Sequence, residues 1–135
     1  MPRVRYTNEA AMKMVNELRT ALALGELHLY KEGLVFSDST TTAQFTAVEA
    51  DYSGYAAIAV AALLAAYIDP AGGASAQVAT QQFQHNGGAV ANMIAGAWYE
   101  DAAGVLRLAV EFDAPVPMAV ATDAIPLDVI FNIRN

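Results

Sequence analysis

The chain contains no cysteine in 135 residues, which removes disulfides, thiolate metal sites and cysteine nucleophiles together. Bases are scarce: seven Lys and Arg stand against fourteen Asp and Glu, a formal charge of −7. Nucleic acid and anionic membranes both reward clustered Lys and Arg, so neither is expected as a partner. The most basic stretch, Pro2-Arg3-Val4-Arg5, reads as a solvated or docked arm. Long apolar runs are missing too. The longest, residues 56–68, has 13 residues, against the roughly 20 that a membrane-crossing helix needs. Met1 to Tyr6 shows no apolar core of a signal peptide, and the expectation is a soluble protein made in the cytoplasm.

What is present is small and apolar. Residues of apolar type make up 56% and charged ones only 16%. Much of the apolar share is alanine, which buries little area per residue. A chain of this length can enclose a core as one domain, and so few charges suggest surface hidden against partners. The expected order is an arm over residues 1–7, a helix over 8–24 and a β-domain over 26–133.

Thr7 or Asn8 can cap the helix, with Glu9 near its positive end. Ala11, Val15, Leu18 and Leu22 repeat on one face, and Gly25 suits the position after the last turn. From Glu26 the period changes to two. Leu27 and Leu29 point one way, with His28 between them on the other face. Residues 37–42 (SDSTTT) form a polar loop, and Ser53-Gly54 marks a turn. Residues 56–64 are read as a strand, although their alanines also suit a helix. Residues 77–84 predict a polar, exposed or edge strand, and 90–99 a further strand joined by a 100–104 hairpin loop to 105–112. On that last strand Leu106, Leu108, Val110 and Phe112 would share a face. Ala114-Pro115-Val116-Pro117 should stand outside any central ladder, because proline has no N–H to donate. Residues 126–133 close the chain as a strand with Leu127, Val129, Phe131 and Ile133 inward. Six or seven short strands with hairpin-length links predict a mainly β fold, an antiparallel β-sandwich or jelly-roll-like domain with one N-terminal amphipathic helix.

Motifs for chemistry are few. His28 and His85 lack the spacing of metal-ligand pairs and read as surface or turn histidines. Glu49 with Asp51, and Glu111 with Asp113, lie two apart and would share faces if extended. Paired carboxylates can transfer protons or hold a divalent cation, but a solvated face is the simpler reading. Glu100-Asp101 suits a hairpin tip. Gly72-Gly73 and Gly87-Gly88 lack a phosphate-binding setting, and Ser37, Ser39, Ser53 and Ser75 have no base beside them. Tyr52, Tyr55, Trp98 and Tyr99 are interleaved with acids and alanine rather than bases. No catalytic residue, no cofactor site and no metal site is expected, and the chain reads as a non-enzyme.

One stretch carries a resemblance. A helix followed by Leu27-His28-Leu29-Tyr30-Lys31, a loop with Thr40-Thr41-Thr42, then Phe45-Thr46 and Glu49-Ala50-Asp51-Tyr52-Ser53-Gly54-Tyr55-Ala56, resembles small virion structural proteins of tailed bacteriophages. It covers about 30 residues directly, and departs from the pattern at Glu32-Gly33 and in its alanine-rich continuation. The resemblance implies a capsid cement (decoration) protein on the capsid exterior. Its partners would be the major capsid protein and its own copies, as a homo-dimer or homo-trimer. It brings no functional residue set with it. Candidate contact residues are therefore taken from the chain itself: Arg3, Val4, Arg5 and Tyr6 in the arm, Tyr52 and Tyr55, and Pro115, Val116, Pro117 and Met118. A tail- or fibre-associated adhesion module is the alternative. A third reading is a small-molecule-binding barrel or enzyme using His28, Glu49 and Asp51.

Overall fold

The Thr7 hydroxyl accepts the Ala10 N–H at 3.1 Å and starts the first helix, α1 (Asn8–Leu22). That bond satisfies one of the amides that no helical carbonyl can reach. Ala11, Val15 and Leu22 are buried along one stripe, as their spacing predicts. The helix stops two residues before the expected end. Leu24, not Gly25, takes the left-handed conformation, at φ 66°. Gly25 is needed for a different reason: a Cβ there would run into the Glu100 carbonyl and sit 3.1 Å from Asp101 Cα. The chain then enters β1 (Glu26–Lys31).

A computed structural model describes residues 5–60, 66–68, 70, 72–77, 80–128 and 130–133. After β1 come α2 (Thr42–Ala47), β2 (Ile58–Ala59), β3 (Tyr67–Ile68), β4 (Ala74–Gln77) and β5 (Gln81–Gln84). β6 (Asn92–Glu100), β7 (Leu106–Met118), β8 (Ala124–Leu127) and β9 (Ile130–Ile133) complete the order. The fold is mainly β, antiparallel and fronted by one N-terminal helix, in line with the period-two reading. The sheets run β2-β1-β6-β7, β3-β4-β9 and β5-β8. α1 packs on β3, β4 and β9. One core joins Ala11, Val15 and Leu22 of the helix to Leu27, Leu29, Ile94, Ala97 and Tyr99 of the first sheet. Ala74 and Ala76 of the second sheet and Phe83, Ile125 and Leu127 of the third complete it. Each fully buried Leu contributes about 2 kcal/mol of hydrophobic stabilisation.

Several elements differ from expectation. The polar 37–42 segment runs into α2, whose start is a reciprocal cap. The Thr41 hydroxyl accepts the Gln44 N–H, and the Gln44 side-chain oxygen accepts the Thr41 N–H at 2.8 Å. Only Ile58–Ala59 is strand within the expected 56–64, and 61–65 lie outside the described residues. Within the expected 77–84, Gln81–Gln84 forms a strand of a two-stranded sheet with Gln82 and Gln84 exposed, as a polar edge strand should be, while Gln77 ends a separate strand. That strand, β4, lies between β3 and β9, with Ala74, Ser75 and Ala76 fully buried. Small side chains let it be covered on both faces. The final strand also divides, because Leu127 pairs in one sheet and Ile130 in another; Val129 lies outside the described residues.

β7 departs furthest. Residues 116 and 117 do join a ladder, Val116 opposite Ile94 and Pro117 opposite Met93. β7 is the outer strand of its sheet, where a missing N–H costs no ladder bond. Register jumps from Gly96 opposite Glu111 to Ile94 opposite Val116, so residues 112–115 bulge outward. A second shift, between Tyr99 and Glu100, turns Leu106 away from the face of Leu108. Leu106 packs against the aromatic cluster on the opposite side of the sheet.

Candidate functional site

Both faces of β1 are buried. Leu27 and Leu29 enter the main core, while His28 and Tyr30 face a second cluster of Tyr30, Phe45 and Trp98. Residues 48–50 run along β1, with the Lys31 N–H donating to the Val48 carbonyl and the Ala50 N–H to that of Leu29. With Phe45 of α2, this segment closes what would otherwise be a solvent face. His28 is therefore only 9% exposed, not a surface histidine.

The ladder sets His28 opposite Trp98 and Glu26 opposite Glu100. The His28 and Trp98 rings stack at 4.6 Å with planes 9° apart, and Phe45 stacks on Trp98 at 5.3 Å. Tyr30 lies opposite Gly96, where a Cβ would collide with the Tyr30 ring and the Val110 carbonyl. Only glycine lets that ring cross the strand.

Three carboxylates surround the imidazole. His28 Nδ1 lies 2.7 Å from Glu49 Oε1, and Nε2 lies 3.4 Å from Glu26 Oε2 and 3.8 Å from Glu100 Oε2. A carboxylate only accepts, so Nδ1 carries a proton toward Glu49. Glu49 also accepts the Tyr55 O–H at 2.9 Å, while the Tyr55 oxygen accepts the Leu29 N–H at 3.1 Å. Burial, then the neighbouring Glu49, pushes the Tyr55 hydroxyl far above its ordinary range. The Trp98 indole N–H donates to Glu100 Oε1 at 2.8 Å. Nε2 is buried and makes no hydrogen bond. Beside it opens a polar depression of about 270 Å³ lined by Leu24, Glu26, Glu100, Asp101, Ala102 and Gly104.

Of the acids considered together in the sequence, Glu49 joins His28 but Asp51 does not. Asp51 accepts from Asn92 Nδ2 at 2.9 Å and Lys31 Nζ at 3.1 Å, which hold its carboxyl below the usual range. Glu111 and Asp113 are exposed. Glu100 and Asp101 separate. Asp101 accepts the Ala103 and Val105 N–H groups and the Arg107 guanidinium, closing the hairpin, and these bonds hold its carboxyl low. His85 is a turn histidine, as expected, yet buried: Nε2–H donates to the Val90 carbonyl at 2.8 Å and Nδ1 accepts the Gly87 N–H at 2.9 Å.

The contact candidates divide by burial. Arg3 and Val4 lie outside the described residues. Arg5 and Tyr6 are exposed, as are Pro115 and Pro117. Tyr52 and Met118 are buried in the core, Tyr55 is committed to Glu49, and Val116 is half-buried beside an apolar groove of about 250 Å³. Glu26, Trp98 and Glu100 were not singled out as site residues by sequence; the available signal is their i, i+2 spacing on strands that turn out to pair.

Among the described residues no helix is long and apolar enough to cross a membrane. Nor do any three His, Asp or Glu side chains there form, as they stand, a group arranged to hold a metal ion. Comparison with protein-family models, curated proteins and solved structures gives no match.

Proposed function

We propose that the chain is a non-enzymatic structural protein of a tailed-phage virion, a capsid cement protein. It binds the outer surface of the shell, associates with its own copies and clamps neighbouring major capsid subunits. The observation that carries this reading is the placement of exposed apolar side chains at both ends of the β6–β7 hairpin. Leu24 (85% exposed) and Val105 lie at the hairpin tip; Val90, Met93 and Val120 lie at the other end, where Pro117 is also exposed. A nine-residue strand such as β6 holds two such ends about 27 Å apart. A clamp needs this: two apolar contacts on a rigid spacer. Further support comes from the resemblance, whose residues Leu27, Leu29, Phe45 and Tyr52 build the core that makes the spacer rigid.

Co-sedimentation with purified shells of the cognate phage tests the proposal. The wild-type protein should pellet with shells and raise their resistance to heat. Leu24→Ala and Val120→Asp should each weaken binding about tenfold with no change in unfolding midpoint. Failure of the folded protein to bind shells would remove the proposal, and binding to host cells instead would put an adhesion module in its place.

A further inference from the structure

We infer that Asn86-Gly87 is a self-modification site, at which the fold catalyses loss of the Asn86 amide through a cyclic imide. It is the one Asn-Gly pair of the chain. An asparagine followed by glycine is the pair most open to this reaction, because no Cβ shields the next amide nitrogen. The surroundings supply what a free peptide lacks. The Gly87 N–H, whose nitrogen is the nucleophile, donates to His85 Nδ1 at 2.9 Å. The His85 Nε2–H donates to the Val90 carbonyl, so Nδ1 keeps its lone pair in the neutral ring. That ring is buried, stacked on Tyr52 with centroids 5.7 Å apart, and aimed at the proton the reaction must remove. On the electrophile, Asn86 Oδ1 accepts the Gly88 N–H at 2.9 Å, a donor placed where negative charge develops.

His85 Nδ1 takes the Gly87 amide proton, the freed nitrogen bonds to Asn86 Cγ, and the carbonyl electron pair moves onto Oδ1 against the Gly88 N–H. The imidazolium then returns the proton to Nδ2 as the Cγ–Nδ2 bond breaks, and ammonia leaves. Water opens the imide at either carbonyl, giving aspartate or isoaspartate, with no oxidant or reductant required. Asn86, Gly87 and Gly88 are exposed, so water enters and ammonia escapes freely. Position is held from outside the turn. The Asn86 N–H donates to the Ser53 carbonyl at 3.0 Å, and a Cβ on Gly54 would stand 2.8 Å from Asn86 Cβ. Holding the groups together replaces a rare encounter in a flexible peptide. The product alters the fold around it. The Val90 N–H donates to Ser53 Oγ and the Ser53 N–H to the Val90 carbonyl, so residues 85–90 clasp the Ser53-Gly54 turn. Isoaspartate inserts a methylene into the main chain inside that clasp, and either product adds a negative charge to the turn that carries exposed Val90.

The chemistry is independent of the capsid proposal, so either can fail without the other. Folded protein held at neutral pH should release one ammonia per chain and convert to a more acidic species on isoelectric focusing. Peptide mapping should place aspartate or isoaspartate at position 86. The folded chain should react about tenfold or more faster than the same chain unfolded in guanidinium chloride, where His85 and Gly88 no longer hold their places. Asn86→Gln, at an exposed position, should stay folded and lose the product, because the longer side chain must close a larger ring. His85→Gln, whose amide accepts the Gly87 N–H but takes no proton, should slow the folded chain to the unfolded rate. Should that variant fail to fold, wild type with and without denaturant still decides. Product formed faster in the unfolded chain would show that the turn protects Asn86 and would overturn the inference. Equal rates would overturn it as well, since the pair would then react as any Asn-Gly peptide does. So would an acidic species that persists in Asn86→Gln.

Discussion

Tyr52 and Tyr99 place their hydroxyls in the interior with no hydrogen-bond partner. Burial alone pushes Tyr52 up to about 12; for Tyr99 burial comes first and nearby Asp128 second, to a similar value. Both folded values lie above the ordinary 10.0, so the native state holds these protons more tightly than the unfolded chain does. Their contribution to stability is complete below pH 10 and is lost as pH rises toward 12. Alkaline titration should therefore show tyrosinate absorbance from these two residues rising together with the loss of far-ultraviolet dichroism. Ionisation of all six tyrosines while the dichroism stays native would refute this. Among the described residues, Leu24 is the non-glycine residue with a positive φ. A left-handed leucine costs about 1–2 kcal/mol relative to the right-handed form, and it is carried at 85% exposure at an end proposed to meet a partner.

At the scale of elements, α2 decides whether the second face of β1 is dry. It has six residues, too few to be stable alone. Its stability comes from the Thr41–Gln44 cap and from Phe45, which packs on Tyr30 and Trp98. Thr41→Ala should cost about 1 kcal/mol in chemical denaturation. It should also shift Trp98 emission toward that of a hydrated indole, because the loosened turn no longer seats Phe45. An unshifted spectrum would mean that residues 48–50 alone keep the face closed. This element was hidden in the sequence, since Thr-rich composition reads as loop when no apolar period runs through it. α1, by contrast, was legible almost to the residue, because an apolar stripe and a Thr cap are local signals. β1 was legible in its alternation but not in its burial. Alternation says which residues share a face, and only the returning 42–50 segment says that both faces are covered. The prolines of β7 were read correctly as unfit for a central ladder. That the chain would place them on an outer strand, with a bulge before them, depends on strand order.

Over the whole molecule, β1 and β6 are shared by two clusters. The main core takes Leu27, Leu29 and Ala97 from these strands; the aromatic cluster takes Tyr30 and Trp98 from their opposite sides. Damage to either should therefore weaken both. Phe45→Ala should cost about 3–5 kcal/mol, and unfolding followed by Trp98 fluorescence should coincide with that followed by helical dichroism from α1. Separate transitions would show that the aromatic cluster is an independent unit. The sequence by itself determined the mainly β class, the N-terminal helix and the absence of cysteine chemistry, since each follows from composition or from local period. Tertiary structure alone decided that His28 sits among Glu26, Glu49 and Glu100 against Trp98. Those residues span 75 positions of chain. A one-residue change of register between β1 and β6 would separate them, and register is set by the packing of the whole core rather than by any motif within reach of the histidine.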